Sequence, residues 1–155
     1  MAIISQSGTV GAALGEWASA DGIGISSFVS LGNKADVSEI DLIDYFTHDP
    51  GTEVISIYVE GTRDGRKFME ACRNAVSHKP IVVFRPGRSR KGRRAAESHT
   101  KSIAGSHAVF HAACRQVGVT AAQSIEDLYD FSKALALART RRSPDGHEGA
   151  YRVAD

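Results

Sequence analysis

The sequence has few cysteines and no long apolar run. Its 155 residues include two cysteines, Cys72 and Cys114, which favours reduced structural thiols in the cytosol over a disulfide framework. No apolar stretch approaches the ~20 residues of a transmembrane helix, and the N-terminus lacks the pattern of a secretory signal. The formal net charge is only +1. We therefore expect a cytoplasmic protein that does not enter a membrane and is not a general polyanion binder.

The positive charge that is present is concentrated in one segment. Residues 85–94 read RPGRSRKGRR. Such a run could hold phosphates, bind nucleic acid or be a solvated basic loop. No aromatic side chain is interleaved with these cations, which argues against single-stranded nucleic-acid binding. Nucleic acid is therefore not an expected partner.

Apolar periodicity alternates between strand and helix along the chain. The run Val54–Val59 (VISIYV) indicates a buried strand, and Thr9–Ala20 repeats apolar residues at helical spacing. Five strands separated by helices predict an α/β protein with a flavodoxin-like open parallel sheet and helices on both faces. This domain is expected to cover residues 1–138, and residues 139–155 are expected to be a flexible tail. The predicted strands are 3–4, 23–31, 54–59, 80–84 and 119–122.

Ligands of open parallel sheets bind beyond the carboxyl ends of the strands. The loop that follows the first predicted strand is Ser5–Thr9, and it leads into a helix N-terminus. Unpaired N–H groups and the helix dipole make such a turn suitable for an anion. Gly8 would permit close approach, and Ser7 and Thr9 would add hydroxyl donors. Alternatively, Ser7 is simply the N-cap of the helix.

Two further residues of this edge carry candidate chemistry. Glu60 directly follows the third predicted strand, where its carboxylate could serve the cleft or could form a salt bridge or cap. His99 lies in the long loop after the fourth strand, among small and hydroxyl residues. A neutral imidazole is a good nucleophile toward phosphoryl groups and titrates near neutral pH. A solvated loop histidine would give the same pattern, so both readings remain open.

A metal site is not predicted. His107 and His111 are four residues apart on a predicted helix, a spacing that can place two imidazoles on one metal ion. No third ligand is apparent near them in the sequence. The pair is therefore read as two ordinary helical histidines.

Several motifs, taken in order, carry a family resemblance. Over roughly residues 2–137 the chain resembles the flavodoxin-like CoA-ligase domain of NDP-forming acyl-CoA synthetases. That family includes the ADP-forming acetyl-CoA synthetases and is similar to succinyl-CoA synthetase. The most specific features are SLGNKADV and the later SHT followed by AGS. The motifs are IISQSGTVGAAL, GIGISSFVSLGNKADV, IYVEGTRDGRKFMEA, KPIVVFRPGRS and AAESHTKSIAGSHAVFHAACRQVGV.

The resemblance implies a phosphoryl relay. In the family, acyl-CoA and phosphate give an acyl phosphate and CoA, a histidine takes the phosphoryl group, and the phosphohistidine delivers it to ADP on an ATP-grasp domain. The family histidine aligns with His99, and the glutamate that orients it aligns with Glu60. The helix N-terminus that holds the phosphoryl group aligns with Ser7, Gly8 and Thr9. The implied function is the phosphohistidine-carrying domain of an acid–thiol ligase, which forms carboxylic acid, CoA and ATP.

The resemblance also implies partners outside this chain. The family adds a CoA-binding Rossmann domain and an ATP-grasp domain or subunit. The full enzyme, expected to be an oligomer, uses CoA, ADP or ATP, and magnesium, together with acyl-CoA and phosphate. None of these cofactors is expected to be bound by this domain alone. The isolated chain is accordingly expected to lack complete synthetase activity.

One position departs from the family pattern. The family reads SHTG, and Lys101 replaces the glycine here. Glycine would permit a positive φ, whereas a lysine there would be strained. The loop therefore takes another path or transfer is impaired, although Lys101 could also pair with the phosphoryl group, as could Arg88 or Arg93. The alternative function is a non-catalytic regulatory or docking domain, as in family members fused to protein acetyltransferases.

Overall fold

Five parallel strands form one sheet in the order β2-β1-β3-β4-β5. The computed structural model describes residues 1–34, 36–87 and 107–140. This arrangement confirms the predicted α/β fold with a flavodoxin-like parallel sheet. All five strands end at the same edge, so the loops after them gather there. The strands are β1 Ala2–Ser5, β2 Ser27–Ser30, β3 Ile55–Tyr58, β4 Ile81–Phe84 and β5 Thr120–Ala122.

Helices cover both faces of this sheet. Their apolar residues fall into two core clusters, one packed by α2, α3 and α4 and the other by α1 and α5. The last helix runs to Thr140, and most of the predicted C-terminal tail, residues 141–155, lies outside the described residues. The described helices are α1 Gly8–Ala20, α2 Glu39–His48, α3 Gly65–Val76, α4 His107–Gln116 and α5 Ile125–Thr140.

The two cysteines belong to the larger of these clusters. Cys72 on α3 and Cys114 on α4 are both free and fully buried. Burial raises the pKa of each thiol to about 12. Because the thiolate is the reactive form, both side chains act as small apolar groups at neutral pH. Phe68 and Phe110 stack in the same cluster with their ring centroids 6.3 Å apart.

The second strand is shorter than its apolar pattern predicts. The sequence predicts a strand over 23–31, whereas β2 covers only Ser27–Ser30. Ile23 instead donates its N–H to the Ala18 carbonyl at 2.8 Å, which continues the turn that ends α1. Ile23 and Ile25 pack against the α1–α5 cluster. Their apolar character therefore reflects burial of side chains rather than strand pairing.

Gly11 lets α1 lie close to the sheet. A Cβ at Gly11 would lie 2.1 Å from the Phe28 ring and 3.3 Å from the Ser5 Cβ, whereas a Cβ at Gly15 would meet nothing within 4 Å. We expect Gly11→Ala to lower the free energy of unfolding by about 1–3 kcal/mol, because the ring must move. The matched change Gly15→Ala should raise it by about 0.5–1 kcal/mol. Urea unfolding measures both, and equal stabilisation by the two changes would contradict the close contact.

Candidate functional site

The turn between β1 and α1 is fixed by its own serines. The buried Ser5 hydroxyl donates to the Ser7 carbonyl at 2.6 Å and accepts from the Ser7 N–H at 3.2 Å. Ser7 is the N-cap of α1, since its Oγ accepts from the Val10 N–H at 3.4 Å. The capping interpretation of Ser7 is therefore correct as far as its side chain is concerned. The residues that follow Ser7, at the start of α1, are exposed.

The first turn of α1 is open to solvent. Gly8 and Thr9 are exposed, and their N–H groups donate to no other residue in the described part of the chain. This turn contains no acidic residue, so no carboxylate of its own offsets the positive end of the helix dipole. Ser30, which ends β2, lies alongside: its Oγ is 3.8 Å from where a Gly8 Cβ would stand. N–H groups and hydroxyls in this arrangement suit a phosphate-like anion.

A glutamine connects this turn to the loop that carries Glu60. The Gln6 side-chain Oε1 accepts from the Glu60 N–H at 2.5 Å and from the Gly61 N–H at 3.1 Å. The Gln6 backbone N–H donates to the Tyr58 carbonyl at 3.1 Å. Two of the predicted site elements, the α1 N-terminus and Glu60, therefore lie at one place on the sheet edge. Sequence reasoning did not single out Gln6, although it lies inside the quoted motif IISQSGTVGAAL.

The Glu60 carboxylate lies near a buried tyrosine. Tyr58 is only 8% exposed, and burial, with the neighbouring Glu60 carboxylate, raises its pKa to about 12. The phenol is therefore protonated at neutral pH and can donate a hydrogen bond to that carboxylate. Glu60 itself is half-buried. A partly shielded carboxylate of this kind can orient an imidazole by accepting its N–H.

A buried lysine holds the same loop from the other side. Lys34 is 5% exposed and adopts a positive φ of 53°. Its Nζ lies 2.6 Å from the Glu39 Oε2 and donates to the Gly61 carbonyl at 2.5 Å. The lysine belongs to the quoted motif SLGNKADV, but nothing in the local sequence pattern indicates that its ammonium group would be buried.

The basic segment after β4 begins inside the folded domain. Arg85 is half-buried, and its guanidinium lies over the Phe110 ring, 5.2 Å from the centroid. Burial lowers the pKa of this guanidinium from its usual value, which leaves it charged at neutral pH. The remaining predicted site residues of this segment lie outside the described residues: Arg88, Arg93, His99 and Lys101.

The described residues form neither a candidate metal site nor a membrane-spanning helix. Across residues 1–34, 36–87 and 107–140, no group of three or more His, Cys, Asp or Glu side chains could hold a metal ion. Over those same ranges, every helix is too short or too polar to cross a membrane. His107 and His111 stack with their ring centroids 4.2 Å apart.

The family is decided by a match over most of the chain. Residues 1–135 match the model of the succinyl-CoA ligase like flavodoxin domain. The chain belongs to this family. The resemblance drawn from the motifs is thereby confirmed. The succinyl-CoA-ligase-like domain also explains the topology, since five parallel strands with helices form its flavodoxin-like sheet.

Curated relatives of the succinyl-CoA-ligase-like domain are ADP-forming ligases. The chain is 47% identical over 136 residues to the alpha subunit of acetate–CoA ligase (ADP-forming) I from Pyrococcus furiosus, covering 88% of this chain and 29% of the relative. It is 42% identical over 138 residues to 4-hydroxybutyrate–CoA ligase (ADP-forming) from Nitrosopumilus maritimus, covering 88% and 20%. The chain thus spans less than a third of the length of these relatives.

A solved structure gives the same assignment. The dinucleotide-forming acetyl-coenzyme A synthetase 1 of Candidatus Korarchaeum cryptofilum, in complex with phosphate and ADP, matches with a TM-score of 0.81 and 49% identity. The match covers 87% of the succinyl-CoA-ligase-like domain and 30% of that chain. The ligase family is therefore supported by both sequence and structure.

Proposed function

We propose that this chain is the phosphohistidine-carrying domain of an ADP-forming acyl-CoA synthetase. The observation that carries the proposal is the Gln6 side chain, which ties the open N-terminus of α1 to the backbone of Glu60. His99 is the proposed acceptor of the phosphoryl group, and Glu60 orients its imidazole. Gly8 and Thr9 supply N–H groups for the phosphoryl oxygens, while the side chain of Ser7 caps the helix.

The proposed reaction has three steps. Phosphate attacks the acyl-CoA carbonyl, and CoA leaves as the thiol with formation of an acyl phosphate. A ring nitrogen of His99 then attacks phosphorus, and the carboxylate leaves with the P–O electron pair. ADP finally takes the phosphoryl group from the phosphohistidine to form ATP. Catalysis of phosphoryl transfer is largely positioning and charge stabilisation, which an open helix N-terminus without acidic residues can supply.

The proposed reaction needs parts beyond this chain. The relatives are about three times as long as this chain, and we infer that their additional length provides a CoA-binding domain and an ATP-grasp domain or subunit. CoA, ADP or ATP, and magnesium would bind to those parts, and the full enzyme would be a cytoplasmic oligomer. A non-catalytic regulatory or docking role is less favoured, because the curated relatives cited above are ligases.

The isolated chain is expected to form no ATP from acetyl-CoA, ADP, phosphate and magnesium in a luciferase-coupled assay. Adding the CoA-binding and ATP-grasp parts of a related ADP-forming ligase should restore acyl-CoA-dependent ATP formation. His99→Ala should abolish it, whereas His48→Ala, at an exposed position of α2, should not. ATP formation by the chain alone, or by the His99→Ala chain with its partners, would contradict the proposal.

A further inference from the structure

The peptide that follows β3 is anchored from two sides. On one side the Gln6 Oε1 accepts from the N–H groups of Glu60 and Gly61. On the other side the Lys34 Nζ donates to the Gly61 carbonyl. Both polar groups of Gly61 and the N–H of Glu60 are therefore held by side chains that come from other loops. These three hydrogen bonds restrict the backbone conformation at Glu60 and Gly61.

The lysine anchor is not explained by stability alone. Lys34 and Glu39 are 5% and 1% exposed, and two charges removed from water regain little net stability from their attraction. A pair of well-packed apolar side chains would serve the fold about equally well. Lys34 also holds a positive φ, which is unfavourable for a side chain with a Cβ. The contact that an apolar pair could not replace is the hydrogen bond to Gly61.

We propose that Lys34 is a positioning residue for Glu60. With Gln6 and Glu39 it forms a clamp, in which Glu39 fixes the ammonium and the ammonium fixes the Gly61 carbonyl. The clamp holds in place the backbone from which the Glu60 carboxylate projects. This role rests on the proposed function of Glu60, and it assigns a purpose to Lys34 within the motif SLGNKADV.

The test uses the double change Lys34→Met with Glu39→Met, which removes the lysine side of the clamp without leaving a buried unpaired charge. Two quantities are measured on the full chain: amide hydrogen exchange at Glu60 and Gly61, and the rate at which the chain takes label from γ-labelled ATP with an ATP-grasp partner. We expect exchange to be at least about tenfold faster and labelling to be about 10- to 100-fold slower, the cost of a small misplacement. The control is Lys67→Met, an exposed cation that lines one surface pocket together with Lys34 and Glu39, and this change should alter neither quantity.

A second comparison separates positioning from general structural damage. In a Glu60→Gln background the double change should slow labelling no further, because its effect acts through Glu60. An unchanged labelling rate in the double variant, or an equal further loss in the Glu60→Gln background, would overturn the role of Lys34. Unchanged amide exchange would overturn the clamp itself. Absence of label on the parent chain would instead overturn the proposed function, and the role of Lys34 with it.

Discussion

Replacing Glu60 by glutamine is expected to slow phosphorylation of His99 by on the order of 10³-fold. Glutamine has the same shape, and its backbone N–H can still donate to Gln6. In the proposed relay, the change removes the negative charge that stabilises and orients the imidazole as phosphorus is attacked. Because only the charge is lost, the free energy of unfolding should change little. The rate is measured by rapid-quench labelling with γ-labelled ATP and an ATP-grasp partner.

The matched control for this change is Glu70→Gln. Glu70 is exposed on α3 and has no part in the proposed site, so its labelling rate should equal that of the parent chain. A rate for Glu60→Gln within a few-fold of the parent would mean that Glu60 has a local structural role. The salt-bridge or cap interpretation of this glutamate would then be correct.

Replacing Lys34 alone by methionine is expected to lower the free energy of unfolding by about 3–5 kcal/mol, since Glu39 is left buried without its partner. That is a large part of the ~5–15 kcal/mol that stabilises a typical domain. The loss should be mostly reversed when Glu39 is also replaced by methionine, because the buried charge is then gone. Urea unfolding followed by circular dichroism measures all three chains.

An exposed ion pair provides the comparison. Arg139 and Glu53 are bridged at 2.8 Å but are 42% and 43% exposed, so Arg139→Met should cost at most about 1 kcal/mol. Two results would contradict this account of the buried pair. One is a loss of unfolding free energy in Lys34→Met as small as that in Arg139→Met. The other is a loss in the double variant as large as that in Lys34→Met. Both cations lie within 3 Å of their carboxylates, so the contrast reports the burial of Lys34 together with its bond to the Gly61 carbonyl.

Strand positions were predictable where apolar side chains are buried on both faces. The run over 54–59 brackets β3 within one residue at each end, because a central parallel strand is a nearly continuous apolar run. The edge strand β2 was predicted to begin four residues too early and to end one residue too late. Ile23 and Ile25 are equally apolar, yet they fill the core from a loop. An apolar run indicates that side chains are buried. At the edge of a sheet, a buried side chain need not belong to a residue that pairs in a strand.

The position of the candidate site followed from topology, but its contacts did not. Parallel strands must end at one edge, which is enough to place Glu60 beside the turn before α1. The bond from Gln6 to Glu60 spans 54 residues and depends on the register in which β1 and β3 pair. The burial of Lys34 likewise depends on packing between α2 and the loop after β3. Neither contact has a local signal in the sequence.

The most direct test of the central claim is the location of the phosphoryl group. The chain is mixed with an ATP-grasp partner, magnesium and γ-labelled ATP, and the label is tested for stability in acid and base and then mapped. We expect acid-labile, base-stable label at His99 that is absent from His99→Ala. A folded chain that takes no label from an active partner would contradict the relay. It would favour a docking role, with Lys101→Gly as the first reversion to examine.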